Sequence, residues 1–277
     1  MLMWNSKDVY YISDSTGILV TNLGQALTCQ FPEINFVEDS YPFVRAISDA
    51  KDILKTILKR SAGRRPLVFV SIMDADIRQI FDNPEVEFFD IFGALLDDLE
   101  GSLETKALRV PGFSHHTDDL EMGRRVEAIH YCLDHDDGTK TYEYHEAEII
   151  VLGVSRAGKT PVSVYLATQM GYKSANFPLT SEYLNEYRLP DALKTLTKKV
   201  VGLTTSPEFL CSVREKRYPG STYAKMSTCR QEIHQAEEIY RRFGIPVISS
   251  TGKSIEEIVT QICQVVDLPK KKVTLRP

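Results

Sequence analysis

Apolar residues along this chain recur in two registers, short continuous runs and spacings of three to four, and the two registers alternate. Val9-Tyr-Tyr-Ile12 is a β-branched and aromatic run that closes on Ser13-Asp-Ser-Thr-Gly17, after which apolar residues from Ile18 to Gln30 fall at helical intervals. Ile34-Asn-Phe-Val37 predicts a second strand, and Val44, Ile47, Ala50, Ile53, Leu54, Ile57 and Leu58 mark one face of a helix. Pro66-Leu-Val-Phe-Val-Ser-Ile72 is apolar almost throughout, as a strand covered on both faces of a parallel sheet would be. A helix is expected to begin near Asp74, and Phe88 to Leu103, broken by Asp97-Asp98, reads as a further helix with Gly93 as its point of interruption. Strands alternating with helices predict a three-layer α/β arrangement with right-handed crossovers.

From Val110 to His145 the pattern changes. Pro111-Gly-Phe-Ser-His-His-Thr-Asp-Asp119 is polar and turn-rich, and a helical segment from Leu120 to Leu133 runs into Asp134-His-Asp-Asp-Gly138. The reading is two domains, an amino-terminal α/β domain over 1–108 and a nucleotide-binding α/β domain over 109–277, with the junction between 105 and 145. In the second, Gly171 to Pro178 predicts a helix stop and an edge strand, because proline would interrupt a ladder. Val200-Val-Gly-Leu-Thr204 predicts a buried strand, Ser206-Pro207-Glu208 a helix start, Tyr223 to Phe243 a long helix and Ile245 to Thr251 a short strand. Ser254-Ile-Glu-Glu opens a final helix with a capping box.

The strongest chemical signal sits between these elements. Ile149 to Leu152 is strand-like and runs into Gly153-Val154-Ser155-Arg156-Ala157-Gly158-Lys159-Thr160, followed by Pro161 near a helix start. The pattern is GxxxxGK followed by Ser or Thr. Its glycines let backbone N–H groups turn towards an anion, Lys159 reaches the outer phosphates and Thr160 can ligate Mg²⁺. The helix that follows aims its positive end at the same anion. All eight residues are therefore candidate nucleotide contacts.

Composition narrows the class. At 277 residues with a formal charge of −5, the chain is long enough for a sizeable core and lacks the basic excess of a protein that coats nucleic acid. No apolar stretch approaches the ~20 residues that span a bilayer, and the amino terminus lacks a signal-peptide pattern, so the expectation is a cytoplasmic protein without a membrane partner. Cys29, Cys132, Cys211, Cys229 and Cys263 are scattered and form no CxxC pair, which argues for reduced thiols and against structural zinc. His115 and His116 are adjacent, so one helix face cannot present both to a metal, and Cys132 with His135 lacks two further ligands.

Phosphoryl transfer needs cations, a carboxylate to support Mg²⁺ and a base near the nucleophile. Asp136 and Asp137 are candidates for both carboxylate roles, against the plainer reading of a solvated acidic turn. Arg214, Arg217 and Arg230 are candidate phosphate contacts, against surface solvation. Ser13, Asp14 and Thr16 fit either a helix cap or a ligand at the carboxyl end of a parallel strand.

Taken with His135-Asp-Asp-Gly138, Tyr11-Ile-Ser-Asp-Ser-Thr-Gly17 and the ending Ser249-Ser-Thr251 with Ser254-Ile-Glu-Glu-Ile258, the phosphate loop resembles that of the bacterial phosphoenolpyruvate synthase regulatory proteins over nearly the whole chain. The pyruvate, phosphate dikinase regulatory proteins are close relatives. The resemblance implies a bifunctional enzyme. ADP would phosphorylate a threonine of the target and leave as AMP, and inorganic phosphate would remove that group as pyrophosphate. It also implies phosphoenolpyruvate synthase as protein partner, favoured over the dikinase by Arg125 to Gly138 and Tyr240 to Thr251. The glycine spacing does not distinguish ADP from ATP. The residues alone leave open a P-loop kinase or NTPase for small molecules, a non-catalytic nucleotide sensor, and both a monomer and a homodimer.

Overall fold

The computed structural model describes residues 5–113, 119–266 and 268, and the chain divides into two compact units, Met1–His116 and Thr117–Pro277. The first contains β1 (Asn5–Ser13), α1 (Ile18–Thr28), β2 (Ile34–Tyr41), α2 (Ile47–Ser61), β3 (Leu67–Ser71), α3 (Ala75–Gln79), β4 (Glu87–Asp90) and α4 (Gly93–Leu103). Its four strands are all parallel in the order β2-β1-β3-β4. Strand alternation divides the core between the two faces. Tyr10, Ile12, Val68 and Val70 meet Ala50 and Ile57 of α2 and Ile77 of α3, while Val9, Tyr11 and Phe69 meet Val20 of α1.

The second unit contains α5 (Asp119–Asp134), β5 (Ile149–Val154), α6 (Lys159–Met170), β6 (Ser174–Leu179), α7 (Ser181–Asn185), β7 (Val200–Thr204), α8 (Pro207–Arg217), α9 (Met226–Phe243), β8 (Val247–Ser249) and α10 (Ile255–Val265). Its parallel strands run β6-β5-β7-β8. Every residue of β5 is buried, which explains its unbroken apolar run. Ile149 and Val151 face a core with Leu166 of α6 and Val259 and Ile262 of α10; Ile150, Leu152 and Val154 face one with Ile233 and Ile239 of α9. Both units are thus helix–sheet–helix, the α/β class expected. Pro178 lies on edge strand β6, where its missing N–H breaks no ladder.

One element departs from the sequence reading. Phe88 and Phe89 are not helical: they lie in β4, where Phe89 stacks on Phe69 of β3 with ring centroids 4.8 Å apart. A four-residue edge strand followed at once by a helix leaves a continuous apolar run that imitates one longer helix. At the other end, α9 begins at Met226 because Ser221 caps a single 3-10 turn over Thr222–Ala224. Ser254 and Glu257 make the capping box of α10 as read. Among the described residues, no helix is long and apolar enough to cross a membrane.

Candidate functional site

The turn from β5 to α6 is built for close backbone approach. Gly158 caps α6 in the left-handed region at φ 99, and no side chain occupies the cap. Arg156 also has positive φ, 71, an uncommon conformation for a residue with a side chain. Its guanidinium is exposed and unbonded among the described residues. Lys159 is 5% exposed, and its Nζ donates to the Val154 carbonyl at 3.2 Å across the turn. Burial pulls its pKa down to about 8, against the upward pull of Asp137 and Asp136. A buried ammonium folded back over a glycine-bounded turn is a geometry that could cradle an anion.

The acidic turn Asp136–Gly138 meets this loop. Thr160 Oγ1 donates to Asp136 Oδ1 at 2.8 Å, and the same oxygen accepts from Asn176 Nδ2 of β6. Asp137 sits at φ 50 and donates its backbone N–H to Asn176 Oδ1 at 3.1 Å. The solvated-turn alternative therefore describes Asp137, which is exposed, better than Asp136, which is tied to the phosphate loop. His135, 2% exposed, stacks on Tyr131 at 3.8 Å, with Nδ1 facing the Tyr131 carbonyl and Nε2 facing Glu143 Oε2. It thereby anchors the turn to α5.

Arg214 takes a different place from an open phosphate contact. It is fully buried, and its fork reaches the Ser155 carbonyl at 3.0 Å, the Tyr223 carbonyl at 3.1 Å and Glu232 Oε2 at 2.6 Å. Its guanidinium lies 4.0 Å from the centroid of the Tyr223 ring, and the Tyr223 hydroxyl donates to Ser155 Oγ at 2.8 Å. Arg214 thus acts on the loop's backbone. Arg217 and Arg230 are exposed on α8 and α9 and form no ion pair among the described residues. On the far side, Ser250 Oγ donates to the Ala157 carbonyl at 3.4 Å, and Thr251 Oγ1 accepts from Ser206 N at 2.7 Å.

Sequence reasoning missed Asn176, Tyr223, Glu232 and Ser250. Only Ser250 carried a signal, through its place in the Ser249-Ser-Thr251 ending. The others bear no motif, and their partners lie from 9 to 68 residues away in sequence.

Among the described residues no group of three or more His, Cys, Asp or Glu is placed to hold a metal ion, and all five cysteines are free. Cys132 faces Ser174 while His135 is bonded to Tyr131 and Glu143, and His115-His116 lie outside the described residues. The Thr160 hydroxyl and Asp136 carboxylate are two adjacent hard oxygen donors. That set suits Mg²⁺ when phosphate oxygens complete it, and suits zinc poorly.

Ser13 ends β1, and Asp14 and Thr16 lie in the turn that follows it in the first unit. Asp14 is 3% exposed, and its Oδ2 accepts from Met73 N at 2.6 Å. Burial raises its pKa, with the Met73 hydrogen bond and Arg45 opposing. Ser13 Oγ accepts from Ser15 N at 3.1 Å, and Arg45 Nε donates to the Asp14 carbonyl at 2.8 Å. A crevice of about 860 Å³ opens beside Asp14 and Arg45 and reaches Asp74, Arg78 and Arg109.

A protein of Desulfotalea psychrophila is 44% identical over 95% of this chain and 96% of its own length, and one of Hahella chejuensis is 40% identical over 92% and 95%. A protein of Neisseria meningitidis serogroup B is 38% identical over 97% of this chain and its own full length. All three are named, provisionally, phosphoenolpyruvate synthase regulatory proteins. The model of the kinase/pyrophosphorylase family matches residues 9–263, from the first strand to the last helix, and the chain belongs to that family.

Proposed function

We propose that this protein phosphorylates a threonine of phosphoenolpyruvate synthase with ADP as donor, and removes the group with inorganic phosphate. The observation that carries the reading is the buried Lys159 folded over a glycine-bounded loop whose Thr160 is bonded to Asp136. The relatives' names supply the target.

In the forward direction the threonine oxygen attacks the β-phosphorus of ADP, the bond to the bridging oxygen breaks and AMP leaves. The threonine proton passes to Asp137, whose carboxylate has no partner among the described residues. In reverse, an oxygen of inorganic phosphate attacks the phosphothreonine phosphorus. The bond to the threonine oxygen breaks, that oxygen takes a proton, and pyrophosphate is released. Lys159 swings from the Val154 carbonyl to the incoming phosphate in either direction, so one cradle serves both. Thr160 and Asp136 would hold Mg²⁺, which supplies charge neutralisation when bound. Arg214 keeps the Ser155 carbonyl turned inward, away from the phosphate, and leaves the loop's N–H groups facing it.

The test is transfer of label. Purified protein incubated with phosphoenolpyruvate synthase and β-labelled ADP should place label on a target threonine. Label arriving only from the γ-position of ATP would sink the reading.

A further inference from the structure

Asn176 lies on β6, the edge strand of a parallel sheet, and is fully buried, a place where this chain elsewhere puts aliphatic residues. An asparagine there costs stability unless its groups are bonded. Here they are all turned on one short segment. The side-chain nitrogen of Asn176 donates to Asp136 Oδ1 at 2.5 Å, and its oxygen accepts from Asp137 N at 3.1 Å. Its backbone N–H donates to the His135 carbonyl at 3.2 Å, and its carbonyl accepts from the Tyr144 hydroxyl at 2.8 Å. The amide fits only one way round, because the Asp137 N–H can only donate and the Asp136 carboxylate can only accept.

Thr160 brings a second donor to the same Asp136 oxygen. Oδ1 is thereby pinned by groups from two elements, while Oδ2 has no partner among the described residues. We infer that Asn176 is a positioning residue for phosphoryl transfer: from edge strand β6 it fixes the Asp136-Asp137 turn against Thr160, so that one strand places the carboxylates and the phosphate loop places the phosphates. The inference rests on the proposed phosphoryl-transfer reading. Asn176 itself touches neither phosphate nor acceptor in this role.

The test is a double-mutant cycle with Asn176→Ala and Asp136→Ala, read as rate of label transfer from ADP and as KM for ADP. Asn176→Ala should slow transfer by at least about tenfold and leave KM within about threefold, because the anion cradle is intact. The double variant should be no slower than Asp136→Ala alone. Asn176→Asp keeps the shape and the acceptor but loses the donor, so it should be at least as slow as Asn176→Ala. Losses that multiply, a proportionate rise in KM at unchanged rate, or wild-type activity in Asn176→Asp would each overturn the inference. Backbone amide spectra of the same variants separate this from the reading beneath it. Asn176→Ala should shift the Thr160 and Asp137 resonances in the way Asp136→Ala shifts Thr160. If the wild type moves no label but the variants show these shifts, the proposed function falls and the positioning contact stands; if it moves label and the variants lack them, the positioning role alone is overturned.

Discussion

In both units the first strand lies second from one edge of its sheet, with its successor outside it and the third strand on its other side. β1 and β5 therefore each deliver a turn into the gap where the winding reverses, the place where open parallel sheets take ligands. Each turn ends on a glycine in the left-handed region, Gly17 at φ 78 and Gly158 at φ 99, and neither helix has a side-chain cap. What differs is the buried charge. The turn after β5 encloses Lys159, and the turn after β1 encloses Asp14. Topology fixes where a ligand can sit, while the sign of the buried group decides what kind. A buried ammonium beside such a turn favours an anion, and a buried carboxyl disfavours one.

Substitutions at matched positions test how far the likeness goes. The largest effect is expected from Lys159→Ala, which should slow label transfer from ADP and phosphate-dependent removal alike by about a thousandfold. Normal removal in that variant would mean that the two directions use separate sites. Next come Gly158→Ala and Gly17→Ala. At either position a methyl group meets only ordinary contacts, 3.8 Å from the nearest atom, so the cost is backbone conformation, about 1–2 kcal/mol in denaturant unfolding. The two should cost alike in stability, but only Gly158→Ala should also weaken ADP binding, by about tenfold. Equal weakening by both would tie the first unit's turn to the nucleotide.

Two smaller effects depend on pH. With its pKa drawn down to about 8, Lys159 in the free protein loses its charge as pH climbs past that value. Calorimetric ADP affinity should decline above about pH 8, by no more than tenfold per unit, and Lys159→Arg should flatten the decline. Asp14 has the opposite sense. Its folded pKa lies above the ordinary 3.8, so the folded state holds the proton more tightly; stability is fullest below 3.8 and falls as pH rises through the folded value. Asp14→Asn cannot ionise and can still accept from Met73 N. The melting-temperature gap between wild type and variant should therefore turn against the wild type as pH rises above 3.8; a constant gap would show that burial does not raise the Asp14 pKa.

Much of this architecture was legible because buried parallel strands leave a simple trace. The runs at Val9, Pro66, Ile149 and Val200 each became an inner strand of a sheet, and the turn from β5 to α6 falls between the two glycines, as read. β4 was hidden because its two phenylalanines pack on opposite faces of the sheet, Phe89 on Phe69 and Phe88 in the core with Val68, which periodicity cannot see. Arg214 shows a second limit. A basic residue in a helix near a phosphate loop reads as a ligand contact, and only the fold reveals that its fork is spent on Ser155, Tyr223 and Glu232. Asn176 left no trace, since its role is defined by Asp136 and Asp137, some forty residues earlier.

Tyr240 is fully buried, and its hydroxyl donates to the carbonyls of Leu152 and Leu203 on the two strands that flank the phosphate loop. Its ring lies against Gly202, where any side chain would begin 2.8 Å from it. A random-mutagenesis screen for loss of regulation should therefore recover substitutions at Gly202 beside those at Lys159. In a genetic map Gly202 would look like a ligand-binding position although it is only the floor beneath a tyrosine.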